Sequence, residues 1–454
     1  MPKSTREPLK PAGPRLEQLH GMTAARTWGE AQAEDLREYV AGRIGWADLD
    51  RGALLHGEPG TGKTIFAKAL AASCGIPLIA TSYADWQRAG DGHLGDVLAA
   101  MHDCFKLAKH CAPCILFIDE LDAIPARAGK GHSQRWWTSV VSALNEALDG
   151  IAAREGVIVV AAANYPERID PALLRAGRLD TKIEIGLPTP KDLEGIIRFH
   201  LGDDLPAADL RGVAVATAGS SGADIEKFVR SARRYARKHK RPLRSEDLLA
   251  VLEENTTGIR PNLRRRMAIH EAGHGTAAVL LQVSRNVSIS LLHHGLRTPV
   301  TYFDPEVEAV TLDVIERRIA VALAGRAAEQ VLLGDVTAGA GGPDTSDLAV
   351  ANRMAFQAVA AWGISRPDAL QWYGDCPPEQ LLAVRPDLAD EVHGLLQRAY
   401  TRALELIERH RDRVQAIADA LLHKRVLTHE DIAALLEADI AKKPTASRPP
   451  RKRA

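Results

Sequence analysis

Eight residues constrain this chain more than any others: Gly57-Glu58-Pro59-Gly60-Thr61-Gly62-Lys63-Thr64. They fit the pattern GxxxxGK[ST]. They directly follow a short apolar run, 53–56 (ALLH), which reads as a strand. They lead into IFAKALAASC, which has helical spacing and stops at Gly75. Strand, loop, helix in that order is the P-loop arrangement and predicts an α/β fold that binds a nucleoside triphosphate. The glycines let backbone N–H groups turn inward around phosphate oxygens. The helix N-terminus adds partial positive charge. Lys63 is placed for the β- and γ-phosphates, and the Thr64 hydroxyl for Mg²⁺. A glycine-rich loop arisen by chance would leave the flanking strand and helix unexplained.

Two more apolar runs fit the same sheet. Cys114-Ile-Leu-Phe-Ile118 ends in Asp119-Glu120. A carboxylate at the C-terminal end of a parallel strand falls beside the phosphate site. Asp119 is expected to orient Mg²⁺ and Glu120 to polarise the attacking water. Alone, an Asp-Glu pair would be a solvated strand end; downstream of a P-loop the functional reading is preferred. Val157-Ile-Val-Val-Ala161 runs into Asn164, whose amide can hydrogen-bond that water or the γ-phosphate. The segment from Asp170 to Asp180 then carries Arg175 and Arg178. Arginine stays charged and grips phosphate bidentately; the alternative is a surface ion pair with Asp170 or Asp180.

From Gly57 to Asp180 the chain resembles an AAA+ ATPase module of the classical group. That resemblance implies that Arg175 and Arg178 serve as arginine fingers on the neighbouring subunit's ATP, and hence a homo-hexameric ring. Ser221-Gly222-Ala223-Asp224 resembles the group's second sensor, within a helical lid running from about Pro188 to Glu254.

The second half carries different chemistry. His270-Glu271-Ala272-Gly273-His274 is HExxH. On a helix, residues i and i+4 share a face, so both imidazoles can bind one metal ion. Glu271 can serve as general base for a metal-bound water. Neutral imidazoles suit Zn²⁺, and three protein ligands leave a position open for catalysis. The alternative is two ordinary core histidines on one helix. The segment resembles the peptidase domain of FtsH-type ATP-dependent zinc metalloproteases, which fuse these two modules in this order. Ala324 to Asp335 resembles their GRAAE helix. The stretch Val336–Gly339 through Thr345–Leu348 resembles the one supplying an aspartate as third zinc ligand. The match puts that role on Asp347, with Asp344 as competitor because an extra GGP precedes it, and Glu329 as a third choice or a residue behind the ligands. Residues 391–436 resemble the terminal helices, so the resemblance covers about 20–436.

The expected architecture is therefore an α/β P-loop AAA+ domain with a helical lid, followed by a mainly α-helical zinc metallopeptidase domain. The divisions are a flexible arm at 1–25, the nucleotide-binding domain at 26–187, the lid at 188–258, the peptidase at 259–440 and a basic tail at 441–454. The implied function is ATP-dependent proteolysis, with Zn²⁺, ATP and Mg²⁺ as cofactors and protein substrates as partners; the alternative is a remodelling chaperone whose peptidase site is inactive.

Composition limits the remaining options. Lysine plus arginine equals aspartate plus glutamate, at 58 each, so no nucleic-acid partner is expected. Five cysteines make no disulfide scaffold; Cys111-Ala-Pro-Cys114 has redox spacing, but Cys114 opens an apolar strand. A reducing, cytoplasmic setting follows. No run approaches the ~18 apolar residues of a membrane span, although family members usually carry N-terminal transmembrane helices, so membrane anchoring is not expected. The family's aromatic pore triplet is missing. Trp86 is the candidate grip, and His93-Leu94-Gly95 is the positional match. Residues 297–302 read as a short extended segment able to add a substrate strand, weakened on one side by Pro299.

Overall fold

The computed structural model describes residues 8–11, 13–126, 132–149, 155–254, 259–292, 300–305, 309–374 and 376–437, with the backbone alone at 132–134, 285, 300 and 302–305. The chain forms two compact units. One comprises Met1–Pro206 with Gly219–Lys238, the other Ala207–Ala218 with His239–Ala454.

Along the first unit run α1 (Thr23–Val40), β1 (Gly52–His56), α2 (Lys63–Cys74), β2 (Leu78–Ser82), α3 (Tyr83–Gln87), α4 (Leu94–His110), β3 (Cys114–Asp119), α5 (His132–Asp149), β4 (Val157–Ala163), β5 (Thr181–Glu184) and α6 (Pro190–Leu201). After α7 (Arg211–Ala216), which belongs to the second unit, comes α8 (Gly222–Lys238). The five strands form one parallel sheet in the order β2-β3-β4-β1-β5. The apolar runs in β1, β3 and β4 have the composition of strands covered on both faces. Side chains alternate faces. Leu55, Ile115, Phe117, Ile158 and Val160 pack with Phe66 and Leu70 of α2 and Leu36 of α1. Leu54, Leu116, Ile118 and Val159 pack with Val97 and Met101 of α4 and Val140 and Leu144 of α5. Because β4 pairs with both β1 and β3, the carboxyl ends of these three strands are neighbours. The loops that follow them therefore meet at one end of the sheet.

Trp86 corrects an expectation. It is only 1% exposed and packs in the α4–α5 face of the core with Tyr83, Val97 and Met101, so it cannot grip a substrate. Of the positional match, His93, the N-cap of α4, and Gly95 are exposed and Leu94 is half-buried. Cys114 donates its thiol to the Ala108 carbonyl, and burial pushes its pKa up to about 12. A thiol held protonated makes no redox nucleophile.

Of the helices expected in the lid, α6 and α8 pack together in the first unit, while α7 and α9 (Ser245–Glu254) pack together in the second. The second unit continues with α10 (Pro261–Leu280), β6 (Ser284–Ser290), β7 (Val300–Pro305), α11 (Leu312–Leu333), α12 (Asp347–Ala360), α13 (Pro378–Val384), α14 (Pro386–Arg409), α15 (Arg411–Lys424), β8 (Val426–Leu427) and α16 (His429–Glu437). Its core is rich in alanine, with Ala272, Ala277, Ala324, Ala328, Ala355 and Ala399 all at most 1% exposed. Small side chains bring helix axes close. A Cβ on Gly273 of α10 would lie 2.5 Å from the Ala324 carbonyl oxygen of α11, so only glycine permits that approach. β6 and β7 pair antiparallel, in a sheet ordered β7-β6-β8 with β7 at its edge. Residues 297–299 of the expected extended segment, 1–7 of the arm and the whole tail lie outside the described residues. Among the described residues, no helix is long and apolar enough to cross a membrane.

Candidate functional site

The first unit holds a cavity of about 380 Å³ lined by Gly60 to Thr64, Asp119, Glu120 and Asn164. Gly60 and Gly62 have φ of +80° and +100°, the left-handed conformation that turns the loop inward. Lys63 is 8% exposed, and its ammonium donates to the carbonyls of Gly57 (2.7 Å) and Glu58 (3.0 Å). Burial holds its pKa below the ordinary lysine value, against the pull of Asp119 and Asp122. The Thr64 hydroxyl donates to Asp119 Oδ2 at 3.0 Å, so the two oxygens suited to Mg²⁺ stand side by side. Glu120 takes a left-handed φ of 52°, a strained conformation for a side chain with a Cβ. Its N–H donates to Asp119 Oδ1 at 2.9 Å. Asp122 accepts from the N–H groups of Asn164 and Tyr165 at 3.1 and 3.0 Å, which fixes the loop after β4 against the loop after β3.

Ser221 and Asp224 cap the start of α8, the Ser221 hydroxyl donating to Asp224 Oδ2 at 2.8 Å. The Ala223 N–H donates to the Gly60 carbonyl at 3.2 Å, which ties α8 to the phosphate loop. Met22, Ile196, Phe199 and His200 also line the cavity, with the Met22 methyl against Gly62 of the loop. The sequence reading missed these four, because scattered apolar residues carry no motif.

The two arginines differ. Arg175 is exposed and makes no ion pair among the described residues. Arg178 is 14% exposed at its side chain and grips both oxygens of Asp149, with further bonds to Asn145 and the Ala172 carbonyl. It is spent within its own subunit, on Asp149 of α5 rather than on Asp170 or Asp180. Those two cap local turns instead, accepting from the Ala172 and Gly177 N–H groups.

In the second unit, His270 and His274 project from one face of α10, as the i, i+4 spacing requires. Their Nε2 atoms are 3.1 Å apart. Asp347 Oδ2 lies 3.0 Å from the first and 3.4 Å from the second. Asp347 is the first residue of α12, placed there by the Ser346 cap. Asp344 lies apart from this cluster and is exposed; its carbonyl accepts from Arg353. Behind the ligands, His274 Nδ1 meets the Val321 carbonyl at 2.8 Å and His270 Nδ1 meets Glu329 Oε1 at 2.9 Å. A carbonyl only accepts, so His274 donates from Nδ1, which turns Nε2 toward the other ligands. Glu329 is 2% exposed and is also held by Arg266 at 2.8 Å and by Thr337.

These residues fit a divalent metal ion. Two ring nitrogens and a carboxylate oxygen crowd within hydrogen-bonding distance of one another, all suited to a shared cation. Burial raises the Asp347 and Glu329 pKa values, but hydrogen bonds from His270 outweigh it, keeping Asp347 well below the usual carboxylate range and Glu329 at about 2. Burial lowers the His270 pKa, yet the bonds to Asp347 and Glu329 win and lift it to about 10. A proton there substitutes for the cation that the donor set attracts. Gly325 of α11 provides room, since a Cβ on it would meet both Nε2 atoms at 2.5 Å. Glu271, next to His270, is 7% exposed and accepts from the Thr301 hydroxyl at 2.7 Å. The roles of Gly325, Val321 and Thr301 were not read from the sequence. The GRAAE resemblance covered Gly325 and the extended segment at 297–302 covered Thr301, but neither gave them a role at the metal site.

Comparison with known proteins finds a family for each half of the chain. Residues 53–187 match the ATPase family associated with various cellular activities (AAA), and residues 258–435 match peptidase family M41. An ATP-dependent zinc metalloprotease FtsH of Thermobaculum terrenum is 35% identical over 413 residues, covering 85% of this chain and 62% of that protein. The protein of the same name from Caldicellulosiruptor bescii is 33% identical over 428 residues, covering 87% and 67%. FtsH 2 of Symbiobacterium thermophilum is 33% identical over 461 residues, covering 96% and 77%. The chain thus spans between about three fifths and three quarters of the length of these relatives.

Proposed function

We infer the activity from one premise: this chain belongs to the FtsH-type family of ATP-dependent zinc metalloproteases, an AAA ATPase module followed by an M41 peptidase. It hydrolyses peptide bonds in protein substrates that its ATPase module unfolds and delivers. The convergence of His270, His274 and Asp347 beside Glu271 carries this reading.

In the peptidase, His270, His274 and Asp347 would hold Zn²⁺, which when bound polarises the scissile carbonyl and acidifies water. Glu271 takes a proton from the attacking water and returns it to the departing amine. Glu329 and the Val321 carbonyl keep both imidazoles turned with Nε2 forward. In the motor, Lys63 and the loop amides bind the phosphates, and Thr64 and Asp119 would hold Mg²⁺. Glu120 orients the hydrolytic water, with Asn164 beside it. Arg175 completes the neighbouring subunit's site in a homo-hexameric ring. Arg178 supports it by fixing the loop that carries Arg175 to α5. Five unpaired cysteines support a reducing compartment, the cytoplasm, as the place of action.

The test separates the two activities. Glu271→Gln should abolish cleavage of an unfolded protein while ATP hydrolysis continues. Glu120→Gln should trap ATP and stop degradation of folded substrates. Intact substrate in the presence of the wild-type protein, ATP and zinc, with ATP still being hydrolysed, would instead favour a remodelling chaperone.

A further inference from the structure

The general base has one hydrogen-bond partner among the described residues, and that partner belongs to a strand rather than to its own helix. Thr301 lies in β7, opposite Ile289 of β6. Its hydroxyl donates to Glu271 Oε2 at 2.7 Å. We propose that Thr301 is a positioning residue for peptide hydrolysis, holding the carboxylate of Glu271 in register with the edge strand. The proposal rests on the peptidase reading above.

The geometry distinguishes the two carboxylate oxygens. With Oε2 occupied by a donor, rotation about the terminal side-chain bond is restrained. That torsion is otherwise broad and roughly two-fold. Oε1 is then the oxygen left to accept from water. As the water oxygen bonds to the carbonyl carbon, its proton passes to Oε1. As the C–N bond breaks, the proton moves on to the amide nitrogen. Peptide and water become acid and amine, and Thr301 keeps its own proton throughout.

The strand is well placed to do this. β7 is the edge of its sheet, so its outer backbone groups pair with no strand among the described residues. An extended chain adding to that edge would lie along the same strand that supports the base. β6 in turn is locked to α10. A Cβ on Gly275, one turn after Glu271, would lie 3.2 Å from Ile289 Cγ2. Strand and helix therefore hold one register, and the hydroxyl transmits it to Glu271. A threonine that merely satisfied a buried carboxylate would affect stability or zinc content instead of turnover.

Two substitutions in the 454-residue chain test this. Thr301→Val keeps the shape and the β-branch but removes the donor; Thr301→Ser keeps the donor. Cleavage of fluorescently labelled casein is followed with ATP and zinc. For the valine variant, kcat should fall about 10-fold or more, with KM within about 2-fold of wild type. The serine variant should recover most of kcat. Bound zinc, measured by elemental analysis, and the ATP hydrolysis rate should match wild type in both. Wild-type kcat in the valine variant would overturn the proposal. So would equal impairment of both variants, or zinc loss that accounts for the defect. If the wild-type protein itself left casein intact, the peptidase reading would fail, and this proposal with it.

Discussion

Residue 325 shows how much a missing side chain can decide. Its ideal Cβ would lie 2.5 Å from Nε2 of both His270 and His274. Real Cβ atoms do not tolerate that distance, and Gly325 is fixed inside α11. Gly325→Ala should therefore push the imidazoles apart and weaken zinc binding by at least about tenfold, while ATP hydrolysis continues. Elemental analysis after dialysis against a weak chelator reads this directly, and a variant that retains full zinc would contradict it. The HExxH pair and the P-loop were legible because their chemistry is local, set by consecutive residues or one helical turn. Gly325, Val321 and Thr301 were not legible as site residues. They are common residue types, brought to the ligands from other elements by the fold. The choice between Asp347 and Asp344 turned on a helix start. The Ser346 cap makes Asp347 the first residue of α12 and aims it at the histidines. Periodicity defines such boundaries poorly.

At the scale of elements, β1, β3 and β4 were legible as continuous apolar runs, and the helix stop at Gly75 by its residue type, now seen with φ of 69°. Trp86 was misread because an aromatic residue near a loop looks the same whether it faces solvent or core. The start of α9 illustrates an element held by charge. Asp247 is 1% exposed and accepts from Arg241 at 2.6 and 2.7 Å and from the Arg244 N–H at 2.8 Å. The Arg241 hydrogen bond, first among several causes, lowers the Asp247 pKa in the folded protein. A carboxylate with a depressed folded pKa stabilises the fold above its unfolded pKa of about 3.9, and that contribution is lost as pH falls toward the folded value. Asp247→Asn should thus cost about 2 kcal/mol near neutral pH. The gap in melting temperature between variant and wild type should narrow as pH drops from about 5 to 3. A gap that stayed constant across that range would show that charge is not what Asp247 contributes.

For the whole molecule, the contrast between two nearby arginines bears on assembly. Arg178 is committed to Asp149 and Asn145 within its own chain, whereas Arg175 is exposed with no ion pair among the described residues. An exposed cation in a phosphate-binding fold, with no ion-pair partner among the described residues, is suited to a neighbouring subunit's nucleotide. If so, Arg175→Ala should abolish ATP hydrolysis without lowering the melting temperature, while Arg178→Ala should lower the melting temperature. Mixing sharpens the test. Lys63→Ala disables a subunit's own site but leaves its Arg175 to serve the next subunit; Arg175→Ala does the reverse. Each variant alone should be inactive. Co-assembled at random in equal amounts, they should regain roughly a quarter of the wild-type rate, since an interface works only where an intact Lys63 meets an intact Arg175 across a head-to-tail contact. A mixture as inactive as its components would mean that Arg175 acts within its own subunit or not at all, and the proposed ring would lose this argument.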